Sequence, residues 1–187
     1  MIIDPQGMLP AARQCPSPNR DLRPAGCDPE LLIIHNISLP PNQYGGPWID
    51  QLFLNCLEAD QHPYFQEICH LQVSSHILIR RDGEIVQYVP LGERAWHAGQ
   101  SEFEGRPQCN DFSIGIELEG SDDIPYTDSQ YQRLTEVAAA IIERFPGISA
   151  KRITGHSDVA PGRKTDPGPA FDWDRFHKLL AEQSADR

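Results

Sequence analysis

The chain has 187 residues, 39% of them hydrophobic and 23% charged, the balance of one soluble globular domain that buries its own core. Twenty-seven acidic against 16 basic side chains give a net charge of −11, which excludes nucleic acid and anionic membrane as general partners because both demand basic surface. No apolar run approaches the ~18 residues of a membrane span, and Met1-Ile2-Ile3-Asp4-Pro5 lacks the basic-then-apolar order of a secretory signal.

Residues 1–29 carry Pro16, Pro18, Pro24 and Pro29 and read as a turn-rich segment that wraps the fold without a core of its own. The core is expected over 30–182, within a single domain 1–187. Leu31-Leu32-Ile33-Ile34 is a continuous apolar run that predicts a central strand buried on both faces. His35 then stands at the carboxyl end of that strand, where open α/β sheets collect ligands. After a loop from Pro40-Pro41 to Gly45-Gly46-Pro47, Trp48, Ile49, Leu52 and Phe53 repeat with helical spacing, so a short helix is expected over about 47–56. Val73 to Ile79 and Glu84 to Val89 read as strands joined at Arg81-Asp82-Gly83, a hairpin signal.

Ser113 to Glu119 alternates. Ile114, Ile116 and Leu118 face one way, and Ser113, Gly115, Glu117 and Glu119 the other. Thr127 and Gln130 form a capping box before Leu134, Val137, Ala138, Ile141, Ile142 and Phe145 at helical spacing, and Pro146-Gly147 stops that helix. Ile153-Thr154 leads into Gly155 to Gly168, a stretch too rich in glycine and proline for a helix or central strand. Asp172 caps a last helix that buries Trp173, Phe176, Leu179 and Leu180. Strands and helices mix without strict alternation, which predicts an α/β (α+β) fold with a single mixed β-sheet flanked by helices.

Two neutral imidazoles and one carboxylate are what a catalytic zinc needs, with a fourth position left for water. His35, His156 and Asp166 supply that donor set, although each alone has an ordinary reading as a buried, loop or turn residue. Asp158 is a rival carboxylate in the same loop. No H-E-x-x-H pattern is present. A zinc hydrolase also needs a group to move protons, and spacing does not choose between Glu117 and Glu119, one of which reads as part of a solvated strand edge. Lys164 is a candidate to stabilise an oxyanion. His76, inside a strand, reads as a satisfied core histidine. Trp96-His97-Ala98-Gly99 reads as a pocket-shaping loop that stacks on a sugar or peptide. Five cysteines (Cys15, Cys27, Cys56, Cys69 and Cys109) include no C-x-x-C pair, so a reducing cytoplasm is expected.

Five motifs in order carry a family likeness. They are Ile34-His35-Asn36, Ser75-His76-Ile77-Leu78-Ile79 with Arg81-Asp82-Gly83-Glu84, Ala95-Trp96-His97-Ala98-Gly99, Asn110 to Glu117, and Thr154-Gly155-His156 through Lys164-Thr165-Asp166-Pro167-Gly168. From about Pro16 to Trp173 the chain resembles the type 2 family of N-acetylmuramoyl-L-alanine amidases. Cys15-Pro16-Ser17-Pro18-Asn19 and His35 to Pro41 point to its cytosolic branch, which acts on 1,6-anhydro-muropeptides. The resemblance implies the fold shared with peptidoglycan recognition proteins and a Zn2+ held by His35, His156 and Asp166, leaving Asp158 out. It places the catalytic carboxylate on Glu117 and its oxyanion partner on Lys164. It implies cleavage between the lactyl group of 1,6-anhydro-N-acetylmuramic acid and L-alanine in peptidoglycan recycling, which also quiets β-lactamase induction where that circuit exists. Asn36 and Trp96 are the expected substrate contacts. Relatives of that branch commonly carry basic residues where Gln72 and Gln108 stand, and these amides would meet stem-peptide carboxylates without charge assistance. The expected partner is the muropeptide alone, with a monomeric enzyme and neither nucleic acid nor membrane.

Overall fold

The computed structural model describes residues 1–185. Among them the strands are β1 (Arg13–Gln14), β2 (Arg20–Asp21), β3 (Leu31–Ile37), β4 (Ile77–Ile79), β5 (Ile85–Gln87), β6 (Arg94–Ala95), β7 (Glu102–Phe103), β8 (Arg106–Pro107), β9 (Ser113–Glu119) and β10 (Ile153–Gly155). The helices are α1 (Trp48–Phe53), α2 (Phe65–Ile68), α3 (Asp128–Arg144), α4 (His156–Val159) and α5 (Trp173–Ala185). The main sheet runs β1-β5-β4-β9-β3-β10. Its β4, β9, β3 and β10 are parallel, β5 is antiparallel to β4, and β1 runs parallel along β5. It is the expected central mixed sheet with helices on its faces, and β2-β6 and β7-β8 form two small antiparallel pairs beside it.

Strand alternation sorts the two faces. Leu32, Ile34, Ile77, Ile79, Ile114, Ile116 and Leu118 share one core with the apolar stripes of α3 and α5. On the other face Leu78, Val86 and Tyr88 pack against Ile49, Leu52, Phe53 and Phe65, and Leu31 and Ile33 meet Phe112 and Val159. Each fully buried aliphatic side chain contributes about 1.5–3 kcal/mol. The capping box is present, with Thr127 Oγ1 accepting from Gln130 N–H at 3.1 Å and Gln130 Oε1 from Thr127 N–H at 3.1 Å. Gln130 Nε2 also donates to the carbonyls of Ile79 and Glu119, fastening α3 across the ends of β4 and β9. Asp172 caps α5 through Arg175 N–H at 2.9 Å.

Four local expectations change. The first helix stops at Phe53, because Asn55 turns left-handed at φ 59. The strand expected from Val73 begins only at Ile77. Before it, Ser74 Oγ and Ser75 Oγ donate to the carbonyls of Asn19 and Gly115, and Ser74 N–H donates to Trp96 O, outside any ladder. The turn-rich N-terminal segment adds edge strand β1 and sinks Leu9 into the core. The histidine loop contains the one-turn helix α4. No proline or glycine falls between His156 and Val159, so only the later part of the loop is barred from helix. No described helix is long and apolar enough to cross a membrane. All five cysteines are free thiols. Residues 186 and 187 of the expected domain lie outside the described residues.

Candidate active site

Three parallel strands bring one side chain each to the same corner of the sheet. The β3–β9 ladder pairs His35 with Glu117. The β3–β10 ladder pairs Gly155 with Ile34, so His156, one residue on, continues the row beside His35. Aligned residues of neighbouring strands project from the same face, which places Glu117, His35 and His156 side by side toward the carboxyl ends of their strands. β9 lies between β4 and β3, so neither glutamate stands on a solvated edge. The expectation of an exposed strand fails because two ladders cover it.

His156 opens α4. Asp158 is turned away from the site, its Oδ2 accepting from Thr154 Oγ1 at 2.7 Å and Gly155 N–H at 2.9 Å. Asp166 arrives from the following loop, which is pinned at several points. Ser157 N–H donates to Asp166 O at 2.9 Å. Pro167 O accepts from Asn36 Nδ2 at 3.1 Å and Tyr126 Oη at 2.8 Å. Asn36 Nδ2 also donates to Asp122 Oδ1 at 2.8 Å.

The result is a near-equilateral triangle of donor atoms. His35 Nδ1 and His156 Nδ1 are 2.9 Å apart, and Asp166 Oδ2 lies 3.1 Å from the first and 3.0 Å from the second. Both rings are buried, at 1% and 3% exposure. Burial holds the His35 imidazole down at about 4, so it is neutral near pH 7. Burial pushes the Asp166 carboxyl up, but the two imidazoles beside it pull it further down, and it is ionised. His156 Nε2 sits 3.1 Å from Ala98 O. A carbonyl only accepts, so that nitrogen carries the proton and Nδ1 turns a lone pair into the triangle. Buried donor atoms converging at this spacing suit a cation held between them. Tetrahedral zinc at ~2.0–2.1 Å from each donor would set the edges near ~3.3 Å, close to those present. The three residues form a candidate metal site, and their donor set fits.

Glu117 and Glu119 differ in what satisfies them. Glu119 Oε1 accepts from Gly45 N–H and Arg80 Nη1, and its Oε2 from Arg81 N–H. Glu117 is also buried, yet its Oε2 has no hydrogen-bond partner. Burial first, then the negative charge of Asp166, push the Glu117 carboxyl well above the usual range, while Lys164 pulls it part of the way back. A buried, unpaired carboxyl beside a metal site is suited to holding and releasing a proton. Lys164 itself is exposed and lines the cleft.

The cleft over these groups measures about 340 Å³. Its floor holds His35, His156, Asp166, Glu117 and Lys164, and its apolar wall is built from Ile37, Leu39, Tyr64, Ile68, Leu71 and Trp96. Asn36 lines it too, with its amide nitrogen engaged as described. Gln72 and Gln108 are exposed and do not line it, although Gln72 lies between Leu71 and Val73, which do. A larger cleft of about 570 Å³ surrounds Arg80, Arg81 and Glu119, groups largely paired with one another and with Asp50 and Glu84. His76 is a satisfied core histidine, with Nδ1 accepting from Gly115 N–H at 3.0 Å and Nε2 meeting Glu93 O at 3.0 Å. His97 lines the cleft with Trp96, as expected of a pocket-shaping loop, and it also lies edge-on to His35, its Nδ1 2.9 Å from His35 Nε2. Tyr64 is a cleft residue that no sequence signal marked.

Residues 25–169 match the family model described as N-acetylmuramoyl-L-alanine amidase. The chain is 60% identical to the 1,6-anhydro-N-acetylmuramyl-L-alanine amidase AmpD of Escherichia coli (strain K12), over 98% of this chain and 100% of that one. It superposes on the crystal structure of a selenomethionine AmpD derivative with a TM-score of 0.94 at 59% identity, covering 96% of this chain and 99% of the other. AmpDH3 of Pseudomonas aeruginosa, solved in complex with anhydromuramic pentapeptide, matches with a TM-score of 0.60 at 28% identity, covering 81% of this chain and 59% of that one. A three-donor cluster able to hold a metal, a desolvated glutamate and a cleft above them therefore stand in a chain that belongs to the N-acetylmuramoyl-L-alanine amidase family.

Proposed function

We propose that this chain is a zinc-dependent amidase that cuts the bond between the lactyl group of 1,6-anhydro-N-acetylmuramic acid and L-alanine in muropeptides, in peptidoglycan recycling. The observation that carries the chemistry is the unpaired, buried Oε2 of Glu117 next to the His35–His156–Asp166 cluster. The substrate class is supported by near-full-length identity to AmpD, named for the anhydro sugar, and by the ligand of the AmpDH3 complex.

His35, His156 and Asp166 would hold the metal, with Asp166 contributing one negative charge. Zinc, when bound, polarises a carbonyl and lowers the pKa of water toward ~7. Glu117 takes the proton of the attacking water at Oε2 and passes it to the departing L-alanine nitrogen. Its raised pKa suits both halves of that transfer. Lys164 places a positive charge where the carbonyl oxygen becomes an oxyanion. Trp96 offers its ring to the sugar or peptide, and Asn36 offers Oδ1, since its Nδ2 already holds Asp122 and Pro167. Gln72 and Gln108 would meet stem-peptide carboxylates as neutral amides. We take 1–187 as a single amidase domain, acting as a monomer in the cytoplasm. Five free thiols suit that reducing compartment.

A peptidoglycan-binding module without catalysis would not require a desolvated, unpaired glutamate at the metal site. The decisive experiment measures zinc content and the release of L-alanyl peptide from an anhydro-muropeptide and from intact sacculus. Chelator-sensitive release from the first, and little from the second, is expected. Equal release from both would defeat the recycling role, and none from either would defeat the amidase reading.

A further inference from the structure

His97 takes no part in the chemistry above, yet its ring is wedged against a metal ligand. Its contacts can be read from one end, because that end is a backbone carbonyl with no choice of role. Ser113 Oγ lies 2.6 Å from Cys109 O. A carbonyl only accepts, so the Ser113 hydroxyl spends its proton there. Toward His97 Nε2, 3.2 Å away, Ser113 Oγ therefore accepts, and His97 Nε2 carries a hydrogen. The other His97 nitrogen, Nδ1, then presents a lone pair to His35 Nε2 at 2.9 Å. His35 Nε2 must donate, which strips His35 Nδ1 of its proton. That bare Nδ1 is the atom aimed at His156 Nδ1 and Asp166 Oδ2.

The surroundings hold the ring in that place. A Cβ added at Gly115 would lie 2.5 Å from His97 Nδ1 and 2.6 Å from its Cγ, so the ring rests directly on the backbone of β9. The backbone N–H groups of His97 and Ala98 both donate to Asn110 Oδ1, at 3.1 and 2.8 Å. Along one face of β9, then, Ser113 supplies an acceptor, Gly115 leaves room, and Glu117 faces the reaction. Among the described residues no carboxylate hydrogen-bonds the His97 ring to hold a second proton on it.

We propose that His97 is a positioning residue. With Ser113 as its anchor and Gly115 as its seat, it sets the tautomer and orientation of His35 so that Nδ1 is ready to ligate the metal. Partners of this kind on a ligating histidine typically change metal affinity by about 10–100-fold. The inference rests on the zinc site proposed above.

The test is 15N-imidazole NMR of the zinc-loaded protein, joined to zinc affinity by chelator competition. In the wild type, His97 should carry its proton on Nε2 and His35 on Nε2. His97→Leu should bind zinc about 10–100-fold more weakly. His97→Asn, whose amide oxygen can accept near the place of Nδ1, should recover most of that loss. Ser113→Ala should weaken zinc by a smaller factor while leaving the fold intact. A wild-type spectrum with His97 protonated on Nδ1 overturns the proposal without any variant. So does a folded His97→Leu protein that binds zinc within about threefold of wild type. A wild-type protein that binds no zinc at all defeats the metal site itself, a separate outcome.

Discussion

His35 and Glu117 are register partners on the adjacent parallel strands β3 and β9. The ladder between them therefore sets the distance from the proposed base to the proposed metal ligand, with no help from loop geometry. A slip of one residue would turn Glu117 to the opposite face, toward the core under α3. His156 joins the same row one residue beyond the end of β10. Asp166 and Lys164 come from a loop that hydrogen bonds have to hold in place.

Replacing Glu117 with Gln keeps the shape and removes the base. The rate of anhydro-muropeptide hydrolysis should fall by about 10²–10⁴, while zinc content stays at one per chain. Stability should shift as well. The folded pKa of Glu117 is raised by burial, so its contribution is fully present below the unfolded pKa of ~4.3 and lost as pH rises through the folded pKa. Metal-free Glu117→Gln should then be more stable than metal-free wild type at pH 8 and gain least at pH 4, by urea unfolding. Near-normal turnover in this variant would end the assignment of Glu117 as the base.

Lys164 is exposed, so Lys164→Ala should leave zinc content and Tm unchanged. Its kcat should drop by about 10²–10³, the usual cost of a lost oxyanion donor. Steady-state kinetics with metal analysis on the same preparation separate this from loss of the site.

Zinc should stabilise the folded chain, because only the folded chain assembles the three donors. At zinc 100-fold above Kd the gain is about 2.7 kcal/mol, or roughly 5–10 °C in Tm for a chain of this size. A chelator should reverse it. His156→Ala and Asp166→Ala should show no zinc-dependent rise by calorimetry, and an unchanged rise in either would remove that residue from the ligand set.

His76 makes the fold sensitive to acid. Burial, then the nearby Arg23 charge, hold its imidazole down at about 3, against ~6.5 unfolded. Its contribution is present above ~6.5 and is lost as pH falls from there toward about 3, since only the unfolded chain takes up the proton. The limiting slope is about 1.4 kcal/mol per pH unit for one proton. Urea unfolding between pH 7 and 4 should show a flatter slope in His76→Gln than in wild type. Parallel slopes would show that the folded protein accommodates a charged His76.

Much of this was legible locally. The alternation Ser113 to Glu119 separates the core-facing Ile114, Ile116 and Leu118 from the face that carries Gly115 and Glu117, because pleat geometry acts on neighbouring residues. Thr127 and Gln130 announce α3 for the same reason. Other features depend on residues far apart. His35 and His156 are 121 positions apart, and nothing in the spacing of either states that they meet. Glu119 looks like Glu117 in sequence and is told apart by Gly45, Arg80 and Arg81, which arrive from other segments to satisfy it. His97 reads as a pocket-lining residue and does line the cleft, but its contact with His35 is invisible in the sequence, because it depends on the room that Gly115 leaves on a distant strand. Gln72 and Gln108, which only the family resemblance links to the stem peptide, both stand exposed outside the cleft lining.

By itself, then, the chain's order of residues determined the mixed sheet, the helix that caps it, the family likeness and the residue types from which a metal-binding cluster can be built. Those follow from periodicity, capping and motif order, which act over a few residues. Only the tertiary structure decided which carboxylate is left unpaired, why Asp158 is consumed by Thr154 and Gly155, and which histidine stands behind His35. Each of these depends on desolvation and on hydrogen-bond partners that exist only once distant strands are in register.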